Sequence, residues 1–204
     1  RIDKLYKFIA ERISSSQTTI EDSLPVLEFV ARKFPRAWLL LAQLYQEIDY
    51  KNADKAKECI RRYIETSPKD QNEICLAWQE LAQLCNQTED WTGEIQSLVE
   101  MCQLSGTSFY DISNSANRVN SLFIKQLYVL DSEEKMIISQ RLAEVMENRI
   151  YDEGDATDCS RLAWLLVRLK NESKAKQIAE YGLSIEPDNE YCKNFLNRLG
   201  ASRF

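Results

Sequence analysis

The chain has 204 residues, a formal net charge of −6, 5 glycines, 4 prolines and no histidine. That length suffices for a sizeable core or an extended repeat array, and the scarcity of Gly and Pro favours helix throughout. The acidic balance gives no reason to expect DNA or RNA as a partner, no apolar run reaches the roughly 18 residues of a membrane span, and no signal peptide is visible.

Taken in order, residues 1–13 carry Leu5, Phe8, Ile9 and Ile13 at helical spacing, and Ser14–Gln17 break the pattern. Thr19 with Asp22 predicts a helix start, because the Thr hydroxyl can accept from an orphan amide. Leu24, Leu27, Val30 and Ala31 form the next apolar face, with Pro25 near its first turns, and Phe34-Pro35 end it. The strongest pattern runs from Pro35 to Pro68. Trp38, Leu41, Ala42 and Tyr45 share one helical face, and Ala56, Ile60 and Tyr63 share another. A polar turn around Asp49–Asn52 separates them, and Asp70 with Glu73 predicts a capping box opening the next unit.

In 75–108, Trp78, Leu81, Ala82 and Cys85 repeat the first face. Trp91 reads as a turn residue, and Ile95, Leu98, Met101 and Cys102 supply a second face. The small residue expected near the start of that second helix is missing, since Gly93-Glu94 stand there. Residues 109–155 are longer than one such unit. Ile112, Ala116, Val119 and Phe123 form one face, and Lys125 to Leu130 reads as an extension. Ser132 through Ile150 is predicted as a helix carrying Met136, Ile137, Leu142, Val145 and Met146, capped by Asp131 and Glu134. In 156–187 the pattern returns with Leu162, Ala163, Leu166, Ala175, Ala179, Gly182 and Pro187. A last helix over 188–199 holds Phe195, Leu196 and Leu199 with polar residues between, and Gly200 is predicted to end it.

The run Trp38, Leu41, Ala42, Tyr45, then Ala56, Ile60, Tyr63 and Pro68, with its echoes around Trp78 and Leu162, resembles the tetratricopeptide repeat. The resemblance implies an all-α, right-handed α-solenoid of stacked antiparallel helical hairpins, a superhelix forming one domain over 1–204. Its parts would be a degenerate repeat at 1–34, repeats at 35–74 and 75–108, an irregular long hairpin at 109–155, a repeat at 156–187 and a capping helix at 188–204. The start at Arg1 reads as a piece cut from a longer protein, whose other domains would name the process.

Catalysis is not expected. The commonest general base and metal ligand is missing with histidine, and the isolated glycines build no phosphate loop. Neighbouring acids such as Glu133-Glu134 and Asp152-Glu153 point in different directions on a helix. The six cysteines, at 59, 75, 85, 102, 159 and 192, contain no Cys-x-x-Cys, so no metal site or cofactor is expected. They read as small apolar fillers without disulfides, which points to the cytoplasm.

The resemblance implies instead that the first helix of each hairpin lines a concave groove for a protein or peptide. By motif match the groove residues are Arg36, Leu39, Gln43 and Gln46, then Leu76, Gln79, Gln83 and Asn86, then Ser160, Trp164, Val167 and Arg168. Spacing alone adds Tyr110, Ser113, Asn117 and Asn120. A row of amides suits the backbone of an extended peptide; it also suits an ordinary wet helix face. Trp164 either anchors a ligand side chain or packs on the capping helix. The family's carboxylate clamp for chaperone tails needs Lys and Asn where Leu39, Gln43, Gln79, Glu80 and Gln83 stand, so that ligand is rejected. The partner expected is a protein or peptide, not nucleic acid or membrane. The alternative is a structural spacer or a homo-oligomerisation element.

Overall fold

The computed structural model describes residues 20–48, 52–66, 69–126 and 130–201, with Lys4 and Phe8. The expected helix over 1–13 apart from Lys4 and Phe8, the Thr19 cap, the turn residues Asp49–Lys51, Pro68 and residues 127–129 of the 125–130 extension lie outside them. Among the described residues the protein is all-α, with no strand. It divides into two compact units, 1–94 and 95–204.

The first unit holds α1 (Ile20–Ala31), α2 (Ala37–Ile48), α3 (Ala53–Glu65), α4 (Gln71–Gln87) and the start of α5 (Trp91–Cys102). Short connections force neighbouring helices to run antiparallel, and α1 packs on α2, α2 on α3 and α3 on α4. Trp38, Leu41, Ala42 and Tyr45 of α2 are buried, as are Ala56, Ile60 and Tyr63 of α3. Ala42 and Ala56 are fully enclosed, which is where α2 and α3 approach closely. These residues share one core with Leu27 and Ala31 of α1 and Leu81 and Cys85 of α4. The two tyrosines reach polar partners from that core. The Tyr45 hydroxyl donates to Glu28 Oε1 at 3.0 Å, and the Tyr63 hydroxyl donates to Glu73 Oε2 at 2.7 Å.

That second bond corrects one expectation. Asp70 caps α4 by accepting from the Asn72 amide at 2.9 Å, but Glu73 does not complete a capping box. Its carboxylate is taken by Tyr63 and by an ion pair with Arg36. A second correction concerns Gly93. It is the small residue that had seemed missing, because a Cβ there would fall 2.8 Å from Cys85 Sγ and 2.5 Å from Asp90 Oδ2. Trp91 is not a turn residue but the first residue of α5. Nearby, buried Lys57 reaches Asp54 at 2.9 Å and Asp90 at 3.3 Å.

The second unit holds the rest of α5, then α6 (Phe109–Lys125), α7 (Ser132–Glu147), α8 (Ile150–Glu153), α9 (Ala156–Arg168), α10 (Glu172–Ile185) and α11 (Glu190–Ala201). α6 and α7 pack on each other and both pack on α9, which also carries α10 and α11. The apolar faces predicted for α6, α9 and α10 are buried. α7 ends at Glu147, earlier than expected, and Ile150 opens the one-turn α8. Leu142 and Met146 face the core, whereas Met136 and Ile137 are exposed.

Local chemistry sets these helix starts. Asp131 with Glu134 forms the predicted capping box on α7, and Asp155 with Asp158 forms another on α9. Gly182 lets α10 close on its neighbours, since a Cβ there would lie 2.7 Å from Cys192 Sγ and 2.9 Å from Cys159 Cβ. Gly200 does not end α11, which continues to Ala201.

Within each unit the antiparallel helices pack as hairpins, with small residues such as Ala42 and Ala56, or Ala163 and Ala179, fully enclosed, a tetratricopeptide-like helical-repeat packing. No helix among the described residues is long and apolar enough to cross a membrane. The described residues contain no cluster of His, Cys, Asp or Glu suited to a metal ion.

Candidate functional site

Two grooves, one in each unit, are lined by some of the residues that motif match or spacing put on the first helices. In the first unit α2 and α4 lie side by side, linked by the Arg36–Glu73 ion pair and by Gln46 Nε2 donating to Glu80 Oε1 at 3.2 Å. A shallow cavity of about 300 Å³ between them is lined by Arg36, Leu39, Leu40, Gln43, Glu73, Leu76, Ala77 and Glu80. Burial pushes the Glu80 carboxyl above its ordinary pKa, and the bond from Gln46 opposes this. Gln79, Gln83 and Asn86 stand exposed on α4 but are not part of that lining.

In the second unit a larger cavity, about 420 Å³, runs along α6, α9 and α11. Asn117, Asn120, Ser160, Trp164 and Arg168 all line it. Tyr110 is exposed on α6, and Val167 faces a neighbouring cavity beside α11.

The two asparagines differ in what they do. Asn117 is exposed. Asn120 is buried, contrary to the expectation that these amides form a wet face: its Nδ2 donates to the Arg161 carbonyl at 3.3 Å, and its Oδ1 accepts from Arg168 Nη1 at 2.8 Å. The amide therefore ties α6 to α9 and aims Arg168. Ser113 is also buried, bonded to Asp158 and to Arg161 Nη1.

Trp164 packs edge-on against Phe195 of α11, ring centroids 5.0 Å apart. It thus packs on the last helix and walls the groove at once. The last helix is seated by Asn189, whose Oδ1 accepts from the Cys192 amide at 3.0 Å and whose Nδ2 donates to Thr157 Oγ1 at 3.3 Å. This brings Tyr191 and Arg198 to the cavity. Sequence reasoning missed both, along with Ile124, Lys125 and Arg161. Tyr191 and Arg198 belong to a helix read only as a cap, and Lys125 closes a helix whose end no motif marked.

No protein-family model matches the chain, and no curated protein matches it. Among solved structures it is similar to the MamA protein, at 13% identity over 90% of this chain and 91% of that one, with a TM-score of 0.45. It is also similar to YrrB, described as a TPR protein with an unusual peptide-binding site, at 15% identity over 98% of this chain and 91% of that one, with a TM-score of 0.42. Both similarities are low, and the fold described above rests on the helix packing of this chain.

Proposed function

We propose that this chain is a non-enzymatic, cytoplasmic protein-interaction scaffold of the tetratricopeptide type, and that the groove along α6, α9 and α11 receives an extended segment of a partner protein. The supporting observation is convergence. Five side chains expected on first helices, Ser160, Trp164 and Arg168 by motif match and Asn117 and Asn120 by spacing, line one cavity of about 420 Å³, a size in the range of ligand sites. The exposed Asn117 amide and the Trp164 indole suit a peptide, one offering both donors and an acceptor and the other a flat apolar wall.

The test is a double change at exposed lining residues, Asn117→Ala with Tyr191→Ala. Partners cross-linked to the native chain in its own cytosol should be depleted with the variant, while its melting curve is unmoved. Identical partner sets with both proteins would remove the groove as the binding surface. The spacer or oligomer reading draws on a different observation: Val26, Phe29 and Phe34 are exposed on and just after α1. A dimer seen by sedimentation and abolished by Phe29→Ser would favour it.

A further inference from the structure

The second groove is cationic in a chain that is acidic as a whole. Lys125 at the end of α6, Arg161 and Arg168 on α9, and Arg198 on α11 all line it, and no carboxylate does among the described residues. Arg161 is already neutralised, with Nη1 3.1 Å from Asp158 Oδ1. Arg168 is in a different position. Its contacts are neutral: Nη1 donates to Asn120 Oδ1 at 2.8 Å, and its guanidinium lies 4.8 Å from the centre of the Phe123 ring. Burial holds its pKa below the ordinary arginine value, and no acidic neighbour opposes that. A guanidinium offers five N–H donors in a planar fork, so most of those of Arg168 remain for a ligand. A desolvated charge that forms no ion pair in the fold is costly, and an arriving anion relieves that cost.

Beside the cations lie apolar surfaces. Trp164 forms a wall, and Ile124 and Tyr191 are exposed at the edge. An occupant that satisfies both needs carboxylates and large apolar side chains close together on one strand of chain. We propose that this groove selects a partner segment in which Asp or Glu side chains flank a large apolar residue, with Arg168 seating a carboxylate and Trp164 and Tyr191 packing the apolar group. This rests on the reading of the groove as a binding surface and adds the chemical class of its ligand.

Three labelled peptides test it, with both ends blocked so that no terminal carboxylate contributes. All share one Leu and Phe pattern and differ only in carrying Glu, Gln or Lys between. Fluorescence anisotropy should show the Glu peptide binding at least about ten-fold tighter than the Gln peptide, no binding of the Lys peptide, and weakening with added salt. Arg168→Gln should abolish the preference for Glu over Gln. Because Arg168 is half-buried, Lys125→Gln and Arg198→Gln, at exposed positions, provide a second pair. Each should weaken the Glu peptide by about three-fold with an unchanged melting curve. Equal affinity for Glu and Gln peptides, or a preference that survives all three substitutions, would overturn the anionic class while leaving the groove reading to its own cross-linking test. A 12-nucleotide oligouridine binding as tightly as the Glu peptide would overturn it too, by showing attraction to any polyanion.

Discussion

Trp38→Ala probes the packing on which the first unit depends. The Trp38 side chain is only 7% exposed, and the Arg62 guanidinium of α3 lies over its ring at 5.0 Å. A buried Trp removes about 200 Å² from water, which at about 25 cal/mol per Å² corresponds to about 5 kcal/mol. Measured large-to-small changes of this kind cost about 3–5 kcal/mol. The cation over the ring adds about 0.5–1 kcal/mol at a site this exposed on the arginine side, so Arg62→Ala gives a control of known small size. In a chain of this length each kcal/mol moves the melting temperature by about 2–4 °C, and Trp38→Ala should lower it by about 10 °C. Urea unfolding should show a lower midpoint with the slope unchanged, as expected when only stability has changed. A loss in Trp38→Ala no larger than that in Arg62→Ala would refute the packing argument.

Two further outcomes follow from burial. Desolvation pushes the thiols of Cys59, Cys85 and Cys159 up to about 12 and that of Cys192 up to about 11; the unfolded chain loses those protons first, so their contribution is whole below about pH 9 and is lost as pH rises toward 12. Tyr45, raised to about 12 by burial and Glu28, acts in the same direction, and a urea midpoint that stays flat from about pH 8.5 to 10.5 would contradict this. Gly182→Ala should destabilise by about 1–3 kcal/mol, because the new methyl meets Cys192 Sγ and Cys159 Cβ inside van der Waals distance; an unchanged melting temperature would show that α10 and α11 yield at that point.

What could be read from the sequence is local. The faces of α2, α3, α6 and α9 follow from spacing at one helical turn, and the boxes Asp131/Glu134 and Asp155/Asp158 close within a single turn, so neither needs knowledge of distant residues. The same holds for the choice of Trp164 and Arg168, which the motif match put on a first helix, and of Asn117, which spacing alone did. Competition between neighbours could not be read this way. Glu73 was a cap partner by spacing, yet Tyr63 and Arg36 claim its carboxylate. Asn120 was a surface amide by period, yet Arg168 and the Arg161 carbonyl hold it in the interior. Gly93 seemed to break the small-residue rule until Cys85 stood opposite it. The charge of the second groove is the clearest case. Lys125, Arg161, Arg168 and Arg198 are scattered over three helices, far apart along the chain. Only the packing of α6, α9 and α11 turns their side chains to one cavity and Asp158 away behind Arg161, because Coulomb interactions depend on distance in space and a helical stack sets that distance independently of separation along the chain.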